Sequence, residues 1–207
     1  MPTVDETRAT YELAADAFVD LAAGIPLERY AGPGLGEWDL RSLVGHTGRS
    51  LETVTTYLGT RAGSVAAGSG GSYFAGIREF SRNAGPAVHE RGVAAGRALG
   101  DDPVGRLRRL SDDARRALDE LDGDDPVVET AAGGMRVSDY LPTRTFELTV
   151  HCLDIARAVG VDVAPPEPAL RATLHVAADA VADLGLGDAV LLALTGREPL
   201  PAGCSVV

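Results

Sequence analysis

The chain has 207 residues, 45% hydrophobic and 24% charged, which is enough to bury a core without disulfide or metal staples and gives no reason to expect disorder. A formal net charge of -11 with a pI near 4.7 argues against nucleic acid, which needs a basic surface to displace its counterions, and against anionic membranes. All 19 basic residues are arginine, so Schiff-base chemistry and a lysine general base are excluded.

The first helix is predicted from Asp5, as its cap, to Ala23, with Tyr11, Leu13, Ala14, Ala17, Phe18 and Leu21 at helical spacing. Gly24-Ile25-Pro26 ends it, and a turn-rich stretch from Ala31 to Gly36 leads into Trp38. A second helix is capped by Asp39 and runs to Leu58, with Leu40, Leu43, Val44, Thr47, Leu51, Val54 and Leu58 as its apolar stripe. Gly63 to Gly71 reads as a loop. A third helical region covers Tyr73 to Leu99, and Asp101 to Leu121 follows as a better helix, with one long broken helix through both as the alternative. Val127–Thr130 and Met135–Val137 flank a small hairpin turn. The next helix is predicted from Leu141 to Val159. Past Gly160 and the Pro-rich Ala164–Pro168 connector come a helix over Glu167–Leu184, a short element over Ala189–Leu194 and a tail to Val207.

The N-terminus, Met1-Pro2-Thr3-Val4-Asp5-Glu6, has no basic region followed by an apolar stretch, and no apolar run approaches the ~20 residues of a membrane helix. A cytoplasmic home is therefore expected, without a structural disulfide between Cys152 and Cys204. The bias to Ala, Gly, Arg and Val points to a high-GC, actinobacterial source.

The helix after the hairpin carries the chemistry. Leu148, Cys152, Ile155 and Val159 fall on one face, and Phe146, Val150 and Leu153 nearly opposite, so other elements are expected to enclose it. Arg144, Glu147, His151 and Asp154 share a narrow polar wedge between those faces. Glu147 and His151, four apart, project side by side. Buried charges need partners or a metal, and a metal would satisfy both. His175 and Asp179 form a second pair of the same spacing. Spacing alone does not rank the two pairs, and such pairs are common on solvated helix faces. His46 stands at the edge of the second helix's stripe, where a satisfied boundary histidine is the ordinary reading. His89, after a Gly-Pro-Ala turn, reads as exposed. Cys152 reads as a buried small hydrophobe.

Trp38-Asp39-Leu40-Arg41-Ser42-Leu43-Val44-Gly45-His46 resembles the Trp, Leu, His pattern of the DinB-like superfamily. Arg144-Thr-Phe-Glu147-Leu-Thr-Val-His151-Cys-Leu-Asp154 and the small-residue run to Gly160 resemble its second motif, in the form closest to the mycothiol-dependent maleylpyruvate isomerase family. The ending, from Leu194 to Gly203, is similar to the tail of short members, which lack the larger C-terminal α/β domain of the full-length isomerase.

The resemblance implies a mainly α protein, a DinB-like four-helix bundle (up-down-down-up) over residues 1–163, with a small C-terminal extension over 164–207. It implies His46, Glu147 and His151 as ligands of one divalent metal, zinc in the isomerase branch, with nickel or iron(II) also suited to the donor set. Asp154 and Arg144 then stand behind the ligands. Asp154 would orient a ligating histidine, and Arg144 would pair with Asp154, orient an anionic substrate or serve structure.

The expected function is activation of a small thiol, mycothiol by resemblance, for S-transfer to an electrophilic small molecule or its isomerisation. The alternatives are metal-assisted hydrolysis or lyase chemistry without thiol, and a non-catalytic binding bundle. The expected partners are the electrophile and the low-molecular-weight thiol, with the chain a monomer or homodimer.

Overall fold

The computed structural model describes residues 3–82 and 85–206. Met1, Pro2 and Val207 lie outside them, as do Asn83 and Ala84 within the predicted third helical region. Helix α1 spans Val4–Ala23. Its cap is Thr3 rather than Asp5: the Thr3 hydroxyl accepts from the Glu6 N–H while the Glu6 carboxylate accepts from the Thr3 N–H. Such a reciprocal box satisfies two donors that Asp5 alone would leave open. A short 3-10 turn over Leu27–Ala31 leads to α2, Leu40–Leu58, capped as expected by the Asp39 carboxylate on the Ser42 N–H.

The predicted third region consists of two helices, α3 (Gly70–Arg82) and α4 (Gly85–Ala98). Gly100, at φ +66°, separates α4 from α5 (Pro103–Asp119), so the two do not form one long helix. Strands β1 (Val127–Thr130) and β2 (Gly133–Arg136) pair antiparallel in the expected hairpin. Helix α6 spans Val137–Val159, starting before the expected Leu141. The early start has a long-range cause. Asp125 accepts from the Ser138 N–H and hydroxyl, and the Pro126 carbonyl accepts from the Val137 N–H, so the cap comes from the chain before the hairpin. Burial of Val137, Tyr140 and Leu141 then holds the first turn despite Pro142. Gly160, at φ +72°, closes α6 with a left-handed cap. Helices α7 (Glu167–Asp183) and α8 (Gly187–Leu194) follow.

Helices α1, α2, α5 and α6 pack around a shared core, α1 and α2 each touching both α5 and α6. Phe18, Leu43, Val44, Leu51, Leu107, Leu118, Leu148 and Ile155 are buried at its centre. The remaining helices brace this bundle. Helix α4 lies on α2 with the backbones nearly in contact, since a Cβ at Gly45 would sit 2.3 Å from the Gly96 nitrogen. Gly45→Ala is expected to cost about 1–3 kcal/mol through forced separation of α2 and α4. Urea denaturation with an unchanged midpoint would count against that crossing. Helix α7 packs on α3 and α6, and Arg78 of α3 donates to the Ser205 carbonyl, so the tail folds back. No helix among the described residues is long and apolar enough to cross a membrane.

Candidate metal centre

The facing stripes of α2 and α6 form the site. The Tyr140 hydroxyl donates to Thr53 Oγ1 at 2.9 Å, which sets the two helices in register. About two turns along α2 and three along α6, the ring centroids of His46 and His151 stand 5.1 Å apart and nearly perpendicular. Each of His46, Glu147 and His151 offers one ligand atom within 4.8 Å of the others, the only such group of three among the described residues. The alternative pair separates: His175 and Asp179 lie on the exposed side of α7 and belong to no such group.

The two histidines are held differently. His151 Nδ1 faces Asp154 Oδ2 at 3.1 Å and its Nε2 faces Glu147 Oε2 at 3.2 Å. Asp154 thus fixes the ring and leaves Nε2 to the site. Burial opposes a charge on His151, but the bonds to Asp154 and Glu147 outweigh it and hold the pKa up at about 9. Burial also works against the Glu147 carboxylate, yet the His151 hydrogen bond and the charge of Arg144 keep it down at about 2. His46 has no hydrogen bond at either nitrogen among the described residues, and its Nδ1 is buried. Burial first, and the charge of His151 second, depress its pKa to about 4. An unpartnered buried imidazole nitrogen beside a second imidazole and a carboxylate is a donor set that suits a divalent transition metal.

Arg144 is 8% exposed and has no ion pair among the described residues. Its Nε donates to Thr143 Oγ1, and its guanidinium lies 5.1 Å from the ring centre of Tyr73 and 5.3 Å from that of Tyr140. Burial disfavours its charge, but Tyr140, Tyr73 and Glu147 together raise its pKa, so it stays protonated. It does not pair with Asp154, whose other oxygen lies 4.0 Å from the largely exposed Arg157. Phe74 of α3 packs on Phe146, 4.7 Å between centroids, and continues this aromatic wall. Burial pushes the Cys152 thiol up to about 12, so it is no nucleophile; Cys152 and Cys204 are both free.

Two side chains near the site carry no role in the motif reading. Tyr140 stands one turn before Arg144 on the same face, but it precedes Leu141, where the helix was expected to begin, so helical spacing did not bring it into the wedge. Tyr73 arrives from α3, and nothing local in the sequence marks it. His89, expected to be exposed, is half-buried: its carbonyl accepts from the Trp38 indole N–H at 3.1 Å, and the two rings stack 6.4 Å apart. Two surface clefts line α5, beside Arg8 and Asp119 and beside Arg61 and Arg116, and neither includes a residue of the site.

The sequence profile of the mycothiol maleylpyruvate isomerase N-terminal domain matches residues 11–156. The crystal structure of the mycothiol-dependent maleylpyruvate isomerase superposes with a TM-score of 0.52 at 20% identity. The match covers 86% of this chain and 72% of that one, a likeness of fold. No curated protein sequence matches.

Proposed function

Because the chain belongs to the mycothiol maleylpyruvate isomerase N-terminal domain family, we propose that it is a thiol-dependent isomerase or S-transferase with a metal centre held by His46, Glu147 and His151. The observation that carries this reading is the convergence of those three ligand atoms within 4.8 Å, with Asp154 behind His151. Three protein ligands leave positions open, the layout of a catalytic rather than a structural site. A divalent ion, zinc by family and nickel or iron by donor set, would supply a Lewis acid that keeps a thiol sulfur deprotonated near neutral pH.

The chain's own residues supply the rest. Arg144 holds a permanent positive charge one turn from Glu147, which favours an anionic sulfur over a neutral thiol. Tyr73, Phe74 and Phe146 wall one side with aromatic surface and exclude water, which strengthens that field. Asp154 keeps the His151 ring from turning. The reaction class is addition of thiolate sulfur to an electrophilic carbon of a small molecule. As the C–S bond forms, the carbon–carbon π pair moves onto the conjugated carbonyl; the sulfur either stays once that carbanion takes a proton from solvent, giving S-transfer, or is expelled again as thiolate after rotation about the carbon–carbon single bond, giving the isomer. Mycothiol is the cosubstrate the family points to.

Protein purified without a chelating tag is expected to carry about one equivalent of divalent metal and to turn over substrate only with a thiol present. Turnover without thiol, unaffected by adding one, would replace this reading with metal-assisted hydrolysis or lyase chemistry.

A further inference from the structure

A metal-ligating histidine is ordinarily aimed by a hydrogen bond from its second nitrogen. His151 has one, to Asp154. His46 has none among the described residues, whichever of its nitrogens faces the ion. A side chain free to rotate would lose affinity to the entropy of being fixed on binding. Something other than a hydrogen bond must orient this ring.

What lies against it is Trp38, the single tryptophan of the chain. The indole and the His46 ring have centroids 4.6 Å apart and planes tilted by 36°. Trp38 precedes the Asp39 cap of α2, on a different turn of chain from His46, so the contact comes from folding and not from helix geometry. The indole is itself held by α4. Its N–H donates to the His89 carbonyl at 3.1 Å. A Cβ at Gly92 would stand 2.5 Å from the indole carbons Cε2 and Cζ2, so the ring occupies the space a side chain there would fill. Both attachments are on one helix, and α4 is itself locked to α2 by the Gly45–Gly96 approach. The indole is therefore a fixed plate rather than a mobile surface ring.

We infer that Trp38 is a positioning residue of the metal centre: held to α4 by His89 and Gly92, its indole sets the orientation of the His46 ring that no hydrogen bond among the described residues sets. The inference rests on the metal reading of His46, Glu147 and His151. It goes beyond that reading by assigning α4, which contributes no ligand, a part in metal affinity.

The test is a double-mutant cycle on the full chain, read as metal affinity by chelator competition and as the visible spectrum of the cobalt(II)-loaded protein. Trp38→Ala is expected to weaken binding about 10- to 100-fold, the range for lost outer partners of a metal ligand, and to change the cobalt spectrum. Trp38→Phe, which keeps an aromatic plate, should recover most of both. Gly92→Ala touches neither His46 nor the ion, yet should weaken binding in the same direction by displacing the indole. In a Trp38→Ala background it should have no further effect, because there is no indole left to displace. Unfolding of the metal-free variants shows that each is folded.

Affinity and spectrum unchanged in folded Trp38→Ala would overturn the inference. So would a Gly92→Ala penalty that persists undiminished without the indole. Should Trp38→Ala fail to fold, the Gly92→Ala and Trp38→Phe proteins still decide: a Gly92→Ala protein with wild-type affinity and spectrum overturns it. Failure of the metal reading looks different, since the unmodified protein would then bind no ion at all.

Discussion

His151→Ala is expected to reduce divalent-metal affinity by on the order of a hundred- to a thousand-fold, while His175→Ala leaves it unchanged. Four-ligand zinc sites are worth about 10–16 kcal/mol. One ligand of such quality carries about 3 kcal/mol, or two to three orders of magnitude. His175 has the same formal neighbour spacing as His151, but it stands on the exposed side of α7 without a third donor among the described residues. Metal content and chelator competition on the two variants separate them, and a metal-free His175→Ala protein would mean that the wrong pair has been chosen.

The same site predicts how affinity depends on pH. In the absence of an ion, His151 keeps its proton up to about pH 9, whereas His46, at about 4, has already lost its own at neutrality. An ion binding at pH 7 must therefore expel one proton, the one on His151, and none from His46. Affinity should rise about tenfold per pH unit between about pH 6 and 9 and then level off. Calorimetric titration of metal in buffers of different ionisation heat counts the protons directly. Release of none, or of two, would contradict the assignment of charge within the pair.

Arg144→Ala is the second large effect, expected to lower stability by about 3 kcal/mol and to shift the acid limb of the thiol-dependent rate to higher pH. The stability loss has two parts. A buried long side chain truncated to alanine leaves a cavity worth about 2–5 kcal/mol. Two desolvated cation–π contacts, with Tyr73 and Tyr140, add up to about 2 kcal/mol each, and release of the guanidinium's desolvation offsets much of that. The rate effect has a separate cause. Removing a positive charge near the sulfur disfavours the thiolate, so more alkaline conditions are needed to form it. Arg144→Met distinguishes the two, since methionine refills most of the volume without the charge. It should recover much of the stability and none of the pH shift. A methionine variant whose pH–rate profile matches the unmodified protein would reduce Arg144 to a packing residue.

Most of the secondary structure was legible because it is local. The apolar stripe of α2, its Asp39 cap, the hairpin around Ala131–Gly134 and the left-handed Gly160 at the end of α6 each depend on a few neighbouring residues. The α1 cap was missed although Thr3 and Glu6 stand only three residues apart, but the other errors fall where the cause is distant. Helix α6 begins at Val137 because Asp125 and Pro126, on the other side of a hairpin, supply its acceptors. His89 is half-buried because Trp38, fifty-one residues earlier, donates to its carbonyl.

The sequence by itself determined the polar wedge of α6, because a fixed turn per residue sets which side chains share a face. Arg144, Glu147, His151 and Asp154 had to lie together once that segment was helical. The two motifs around His46 and Glu147 likewise carried the family. Periodicity within one helix, however, contains no distance to another. Only the tertiary structure decided that His46 meets Glu147 and His151 while His175 and Asp179 face outward, and only packing brought Tyr73 from α3 to Arg144 and Gly92 from α4 to the Trp38 indole. Those choices follow from which apolar faces bury against one another, a sum over the whole core that no local pattern of residues contains.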